Sequence, residues 1–310
     1  MVSVAESQMK QVEVLLATYN GSQYVVPLMN SLLNQDYKNI KIIVRDDGSN
    51  DNTLEVLNRY TSYENVSIIE GEHEGVPESF FSLLQLSSSD SHYFAFSDQD
   101  DVWQRDKISR AIGFLGRLPQ ELPSMYCSRV LIVDEMLNPI DYSPIPKRAP
   151  SFENAIVENI ATGCTIVINK AARDLLLNNS PKNALMHDWW TYLVVSAFGE
   201  VFYDPEPRIL YRQHSSNVVG CKIGFINRWS SRVERFLKYS SLRRPTRQAM
   251  EFDEIYGASL PKDKKLVLDR FIDGRNTHMG RVLYALNGEI YRQSIIDSII
   301  LRVLILLNRI

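Results

Sequence analysis

Cysteine is scarce in this 310-residue chain: Cys127, Cys164 and Cys221 are odd in number and far apart. That excludes a visible disulfide framework or CxxC zinc site and fits a reducing compartment. Long apolar runs are also missing. No stretch of about 18 uncharged apolar residues occurs, so no ordinary transmembrane helix is expected. The nearest approach, Ser294 to Ile310, is interrupted by Asp297, Arg302 and Arg309. The polar start, Met1 to Gln11, offers no apolar core for a secretory leader. There is little excess of charge of one sign, and a net charge of −3 argues against binding nucleic acid over the whole protein. No Gly-x-Gly-x-x-Gly follows the first strand-like run, which counts against a dehydrogenase. The same loop holds no Lys or Arg for gripping a triphosphate, which counts against a sugar-nucleotide nucleotidyltransferase.

What is present is an ordinary globular mixture, with 45% apolar and 23% charged residues. The first 110 residues alternate strand-like and helix-like segments. Short apolar runs at Val12–Ala17, Ile40–Val44, Val66–Ile69 and Tyr93–Phe96 predict strands. Gln23–Gln35, Thr53–Tyr60 and Pro77–Leu86 have helical spacing. Near-continuous apolar strands separated by helices imply a parallel sheet covered on both faces. Further on, Met125–Val133, Thr165–Ile168 and Val201–Tyr211 read as extended, and His187–Phe198, Arg228–Tyr239 and Ser294–Leu307 as helical.

Polar clusters follow strands one, two and four, at the edge where open α/β sheets bind ligands. The fourth strand runs into Asp98-Gln99-Asp100-Asp101. Three carboxylates in four residues repel one another unless a cation offsets them. Hard oxygen ligands suit Mg²⁺ or Mn²⁺ with diphosphate oxygens completing the shell; the competing reading is a solvated acidic turn that caps the next helix. Asp46-Asp47-Gly48-Ser49 follows the second strand and could serve a base and ribose, or be a plain turn. Thr18-Tyr19-Asn20-Gly21 follows the first. Asp188, beside Trp189 and Trp190, has apolar company that would raise its pKa toward that of a useful base. Adjacent helical residues face different ways, so one Trp is expected in the core and the other free to meet a ligand, simple core packing of both being the alternative. Gly163 would permit close approach of a ligand to the backbone, or mark a bulge.

Together, Ala17-Thr18-Tyr19-Asn20, Val44-Arg45-Asp46-Asp47-Gly48-Ser49 and Asp98-Gln99-Asp100-Asp101 resemble the inverting glycosyltransferases of family 2, which have the GT-A fold. Phe96-Ser97-Asp98-Gln99-Asp100-Asp101-Val102-Trp103, His187-Asp188-Trp189-Trp190 and Tyr211-Arg212-Gln213-His214-Ser215-Ser216-Asn217 look like its rhamnosyltransferase subset. The resemblance covers roughly residues 12–220. It implies a Rossmann-like, mostly parallel central sheet with flanking helices and a C-terminal helical appendage. The catalytic domain would span residues 1–220, with a nucleotide-binding half at 12–110 and an acceptor half at 111–220; residues 221–310 would form the helical C-terminal region.

The resemblance also implies roles. Thr18, Tyr19 and Asn20 would line the nucleotide pocket, and Asp46 or Asp47 would contact base and ribose. Asp98 would reach the ribose or the metal, Asp100 would bind Mn²⁺ or Mg²⁺ directly, and Asp101 would help with metal or donor sugar. Asp188 would be the base. The family usually has an acidic residue at the position of His187, whose role stays open with Gly163, Trp189 and Trp190 as acceptor or sugar contacts. Arg212 would pair with phosphate, and His214 would ligate the metal or touch the diphosphate. The expected reaction moves a sugar, first rhamnose from dTDP-rhamnose and next a UDP-hexose or UDP-N-acetylhexosamine, to a glycan or lipid-linked glycan. The expected setting is the cytoplasm, with peripheral contact on the inner face of the cell membrane through the basic stretch 222–247 or the terminal segment 294–310. A docked helix or a homodimer face is the alternative for those segments.

Overall fold

The computed structural model describes residues 9–178, 181–182, 184–214, 244–287 and 289–310. The expected helix at Arg228–Tyr239, Cys221 and most of the basic stretch lie outside them. The chain runs β1 (Val12–Thr18), α1 (Val25–Leu33), β2 (Ile40–Asp46), α2 (Thr53–Asn58), β3 (Val66–Glu70), α3 (Val76–Leu86) and β4 (Tyr93–Ser97). Parallel pairing sets these strands in the order β3-β2-β1-β4, so the carboxyl ends of β1, β2 and β4 fall side by side. β1 reads Val-Glu-Val-Leu-Leu-Ala-Thr and is buried almost throughout, as a strand covered on both faces must be.

The second half adds β5 (Val102–Trp103), α4 (Lys107–Leu115), β6 (Ser124–Ser128), β7 (Leu131–Val133), β8 (Pro139–Tyr142), α5 (Phe152–Ala155), β9 (Val167–Asn169) and α6 (Lys170–Leu177). Then come α7 (His187–Phe198), β10 (Glu200–Asp204) and β11 (Ile209–Arg212). The run expected as one strand, Met125–Val133, divides at Arg129 into β6 and β7, which serve different sheets. β6 and β10 extend the central sheet to seven strands; β9 lies antiparallel between β4 and β6. β5, β11, β7 and β8 form a small second sheet. The extended reading of Val201–Tyr211 likewise resolves into two strands, β10 in the large sheet and β11 in the small one.

Helices cover both faces of the large sheet, giving two apolar cores. α7 is apolar nearly all round and is buried accordingly. The C-terminal helices are α8 (Arg244–Tyr256), α9 (Lys262–Ile272), α10 (His278–Asn287) and α11 (Ile295–Leu306). Phe252 of α8 packs edge-on to Trp190 of α7 at 6.0 Å and lies 5.6 Å from Phe152 of α5. The C-terminal region is thus continuous with one of the two cores.

Trp190 has no exposed surface and sits among aromatic side chains. Trp190→Ala is expected to cost about 3–5 kcal/mol of stability while leaving donor affinity unchanged. Denaturant titration and calorimetry with a nucleoside diphosphate check the two halves of that expectation.

Candidate active site

Thr18 and Asp46 close β1 and β2 at the same register. Thr18 Oγ1 donates to Asp46 Oδ2 at 2.8 Å, and Ser49 donates through N to Oδ1 at 2.8 Å and through Oγ to Oδ2 at 2.7 Å. Asp46 is fully buried, and its carboxylate is engaged in folding the turn. Gly48, at φ +78°, supplies a left-handed step that an L side chain rarely takes.

The next carboxylate faces the cavity. Asp47 accepts Glu74 N at 3.1 Å and Gly75 N at 3.0 Å, and pairs with Arg45. Burial works to raise its pKa, but these donors outweigh it and hold the carboxyl below the usual range. His73 Nδ1 lies 2.9 Å from Asp47 Oδ2, and the His73 ring stacks on Tyr19 with centroids 4.2 Å apart.

Gln99 fastens the first loop to the acidic one. Its Oε1 accepts Tyr19 N at 2.8 Å and its Nε2 donates to Tyr19 O at 2.9 Å. A Cβ on Gly21 would stand 2.1 Å from Gln99 Oε1, so a larger residue there would displace this brace.

The acidic loop is completed from β11. Leu210 of β11 pairs antiparallel with Val102 of β5, which sets Arg212 and His214 opposite Asp100 and Asp101. Arg212 N donates to Asp101 Oδ1 at 3.1 Å, and Arg212 Nε donates to the Asp100 carbonyl at 2.8 Å. His214 Nε2 lies 2.7 Å from Asp100 Oδ2, and its ring stacks on Tyr24 at 4.6 Å. Burial, then Asp100 and Asp188, push the Asp98 carboxyl up to about 7, while Lys107 opposes the shift. Burial also raises Asp101 well above the ordinary range. The ligand atoms of Asp98, Asp101 and Cys164 lie within 4.8 Å of one another. The oxygens of Asp98 and Asp101, with Asp100 and its imidazole partner on the same loop, are donors that suit a hard divalent cation, whereas the Cys164 thiol is a soft donor and does not.

Asp188 opens α7. Its Oδ1 accepts Trp189 N at 2.6 Å, and Asn159 and Gly163 N also donate to it. Burial nevertheless raises it to about 6. Gly163 lies so near that a Cβ on it would meet His187 Nε2 at 2.8 Å. His187 is buried, stacks on Phe80 at 3.8 Å, and has neither ring nitrogen hydrogen-bonded among the described residues. Burial drives its pKa down to about 3, so the imidazole is neutral at pH 7.

A single cavity of about 960 Å³ joins these groups. Thr18, Tyr19, Asn20, Asp47, Asp98 and Asp100 line one end. Gly163, His187, Asp188, Trp189 and His214 also reach it. Asp46, Asp101, Trp190 and Arg212 do not line it: the first two are buried in the loops, Trp190 is in the core, and the Arg212 guanidinium holds the carbonyls of Asp100 and Glu135. Sequence reasoning passed over His73, Gln99 and Asn159. His73 and Asn159 sit in polar loops with no local signal of their role. Gln99 lies inside the acidic motif, where its hydrogen-bonding capacity was the available clue.

Residues 13–175 match the family described as Glycosyl transferase family 2. The chain is 30% identical over 224 residues to dTDP-rhamnosyl transferase RfbG of Shigella flexneri, covering 68% of this chain and 75% of that protein. Over 107 residues it is 33% identical to UDP-Glc:alpha-D-GlcNAc-diphosphoundecaprenol beta-1,3-glucosyltransferase WfaP of Escherichia coli, covering 34% of this chain and 42% of that protein. Among solved structures, S. aureus TarS 1-349 in complex with UDP-GlcNAc superposes with a TM-score of 0.56 at 13% identity, covering 96% of this chain and 91% of that one. Mannosyltransferase PcManGT from Pyrobaculum calidifontis, in complex with GDP-Man and Mn²⁺, gives 0.56 at 16% identity, covering 91% and 76%. The fold is of the GT-A type. The chain belongs to glycosyl transferase family 2 and is a glycosyltransferase.

Gly21→Ala is expected to weaken nucleoside diphosphate binding about tenfold and to cost about 1–3 kcal/mol of stability, because Gln99 must leave the Tyr19 backbone. Calorimetry with UDP and dTDP, alongside thermal melting, reads both effects.

Proposed function

We propose that this protein is an inverting, divalent-metal-dependent glycosyltransferase that carries rhamnose from dTDP-rhamnose to a hydroxyl of a glycan or lipid-linked glycan in bacterial surface polysaccharide synthesis. One observation carries the mechanism. Asp188, raised to about 6, lies in the cavity close enough to the acidic loop to influence Asp98 electrostatically.

A sugar hydroxyl is a poor nucleophile until its proton is removed as it attacks. Asp188 is the base for that proton. The hydrogen bonds from Trp189 N, Asn159 and Gly163 N fix the direction of its carboxylate. One base opposite the leaving diphosphate suffices for a single displacement, which inverts the sugar carbon. Asp98, Asp100 and His214 would hold the metal; when bound, Mn²⁺ or Mg²⁺ supplies positive charge against the departing diphosphate. Asp47, with Thr18, Tyr19 and Asn20, receives the nucleoside. Tyr19 and His73 offer flat faces at that end.

The donor assignment draws on the Asp98-Gln99-Asp100-Asp101-Val102-Trp103 string and on the relative named as a dTDP-rhamnosyl transferase. A UDP-hexose or UDP-N-acetylhexosamine is the second reading, favoured by the relatives named for UDP-Glc and N-acetylglucosaminyl transfer. No described helix is long and apolar enough to cross a membrane. α10 and α11 nevertheless expose Met279, Leu283, Leu286, Ile295, Ile299 and Leu306. That apolar face supports peripheral attachment to the inner face of the cell membrane, with a homodimer as the alternative. The basic stretch 222–247 would join the same attachment.

Asp188→Asn is expected to lower kcat by about 10²–10⁴-fold with nucleotide-sugar affinity retained; unchanged turnover would remove Asp188 as the base. The base must be ionised to act, so kcat/KM is expected to rise with pH through about 6 and then level off. A chelator should abolish turnover, and Mn²⁺ or Mg²⁺ should restore it. Donor hydrolysis over a panel of dTDP- and UDP-sugars, measured with each metal, separates the two donor readings.

A further inference from the structure

One buried basic group takes no part in the proposed transfer. Lys107 opens α4 and has no exposed surface. Its Nζ lies 2.9 Å from the centre of the Trp103 ring and has no hydrogen-bond partner among the described residues. It interacts electrostatically with Cys164, Asp101 and Asp98. Asp101 is just as enclosed, and its Oδ1 accepts Arg212 N at 3.1 Å. Asp98 and Asp100 reach the cavity, whereas Asp101, Trp103, Cys164 and Lys107 do not. The acidic loop thus has a cavity side and an inner side, and Lys107 stands on the inner one.

Its position is fixed from α1. Ser31 Oγ accepts Trp103 N at 3.0 Å. Gln35, just past the end of α1, donates through Nε2 to Gln104 O at 2.8 Å and accepts Ile108 N through Oε1 at 3.2 Å. Trp103 and the residues around Lys107 are therefore held to one helix. An amine withdrawn from water without an acceptor is costly. Two neighbours offset that cost for the charged form. The indole face attracts an ammonium, most strongly where water is excluded. The acids of the loop attract it as well, and they work against the burial that lowers its pKa well below that of an exposed lysine.

We infer that Lys107 is a built-in counter-cation on the inner side of the acidic loop, which shares the loop's negative charge with the divalent ion on the cavity side and so weakens the hold on that ion. This rests on the metal-dependent reading above. Two positive charges drawn to one set of carboxylates repel each other, and a low dielectric carries that repulsion across the loop. The effect needs no contact between Lys107 and the ion. Its use is in turnover: a loop that held the ion too tightly would also retain the spent diphosphate.

The test is Lys107→Met in the full chain, which keeps an unbranched side chain and removes its charge. Replacing a buried charge by an apolar residue of similar volume is often tolerated. Mn²⁺ affinity is read by electron paramagnetic resonance, first without nucleotide and then with dTDP or UDP. Without nucleotide, the variant should bind Mn²⁺ about threefold or more tighter than the parent. A purely structural role would loosen binding, so unchanged or weaker affinity overturns the inference. A parent that binds Mn²⁺ only with nucleotide overturns it alone. A parent that binds Mn²⁺ under neither condition overturns the metal-dependent reading and this one with it. In the parent, the ¹⁵N resonance of Lys107 Nζ should be that of an ammonium at neutral pH; that of a neutral amine overturns the inference. The resonance decides the matter alone if thermal melting shows that the variant does not fold.

Discussion

Repulsion between carboxylates gathered at one sheet edge is the constraint on which the rest of the site depends. Asp98, Asp100 and Asp101 fill three of four consecutive positions, Gln99 being the fourth, and Asp188 faces them from α7. Burial deprives them of the water that would screen one another, and the direction of the Asp98 and Asp101 shifts expresses that cost. The surrounding structure offsets part of it. Arg212 holds the loop by its main chain, His214 sits on Asp100, and Lys107, buried against the Trp103 ring, lies behind Asp98 and Asp101. A site so arranged has a residual demand for positive charge of the kind a divalent cation would meet.

The same constraint explains the architecture around the loop. β5 and β11 are very short, yet their pairing is what carries Arg212 and His214 to the acids. The small sheet therefore acts as a clamp closing the carboxyl edge of the large one. On the other flank, α7 begins within the cavity and continues into the core, so Asp188 is fixed by the packing of Trp190, Tyr192 and Val194 behind it. The proposed base is thus positioned by a buried helix, whereas the proposed nucleotide end is positioned by loops braced through Gln99 and Ser49.

Much of the first half of the fold was legible in the sequence, because β1, β2 and β4 are apolar runs that end abruptly at Thr18, Asp46 and Asp98. Helix α11 was also legible from its apolar content. Less legible was anything set by tertiary pairing. The break between β6 and β7 depends on which sheet each half joins, and the antiparallel insertion of β9 has no local signature. The division of labour between Asp46 and Asp47 was equally hidden: identical neighbours, one engaged by Thr18 and Ser49, the other turned to the cavity. Trp189 and Trp190 show the converse. Their adjacency points them in different directions: Trp190 lies in the core, and Trp189 lines the cavity while its indole N–H donates to Ala155 O at 2.7 Å.

The placement of β9 has a consequence for biogenesis. Strands β1 to β4 can pair as soon as they leave the ribosome, but the outer side of β4 finds its neighbour only when Val167–Asn169 has been synthesised. Until then the nascent sheet presents a naked, apolar hydrogen-bonding edge, the kind of surface that templates self-association. Translational pausing between the two halves would prolong that exposure, and holdase chaperones would have their natural point of engagement there.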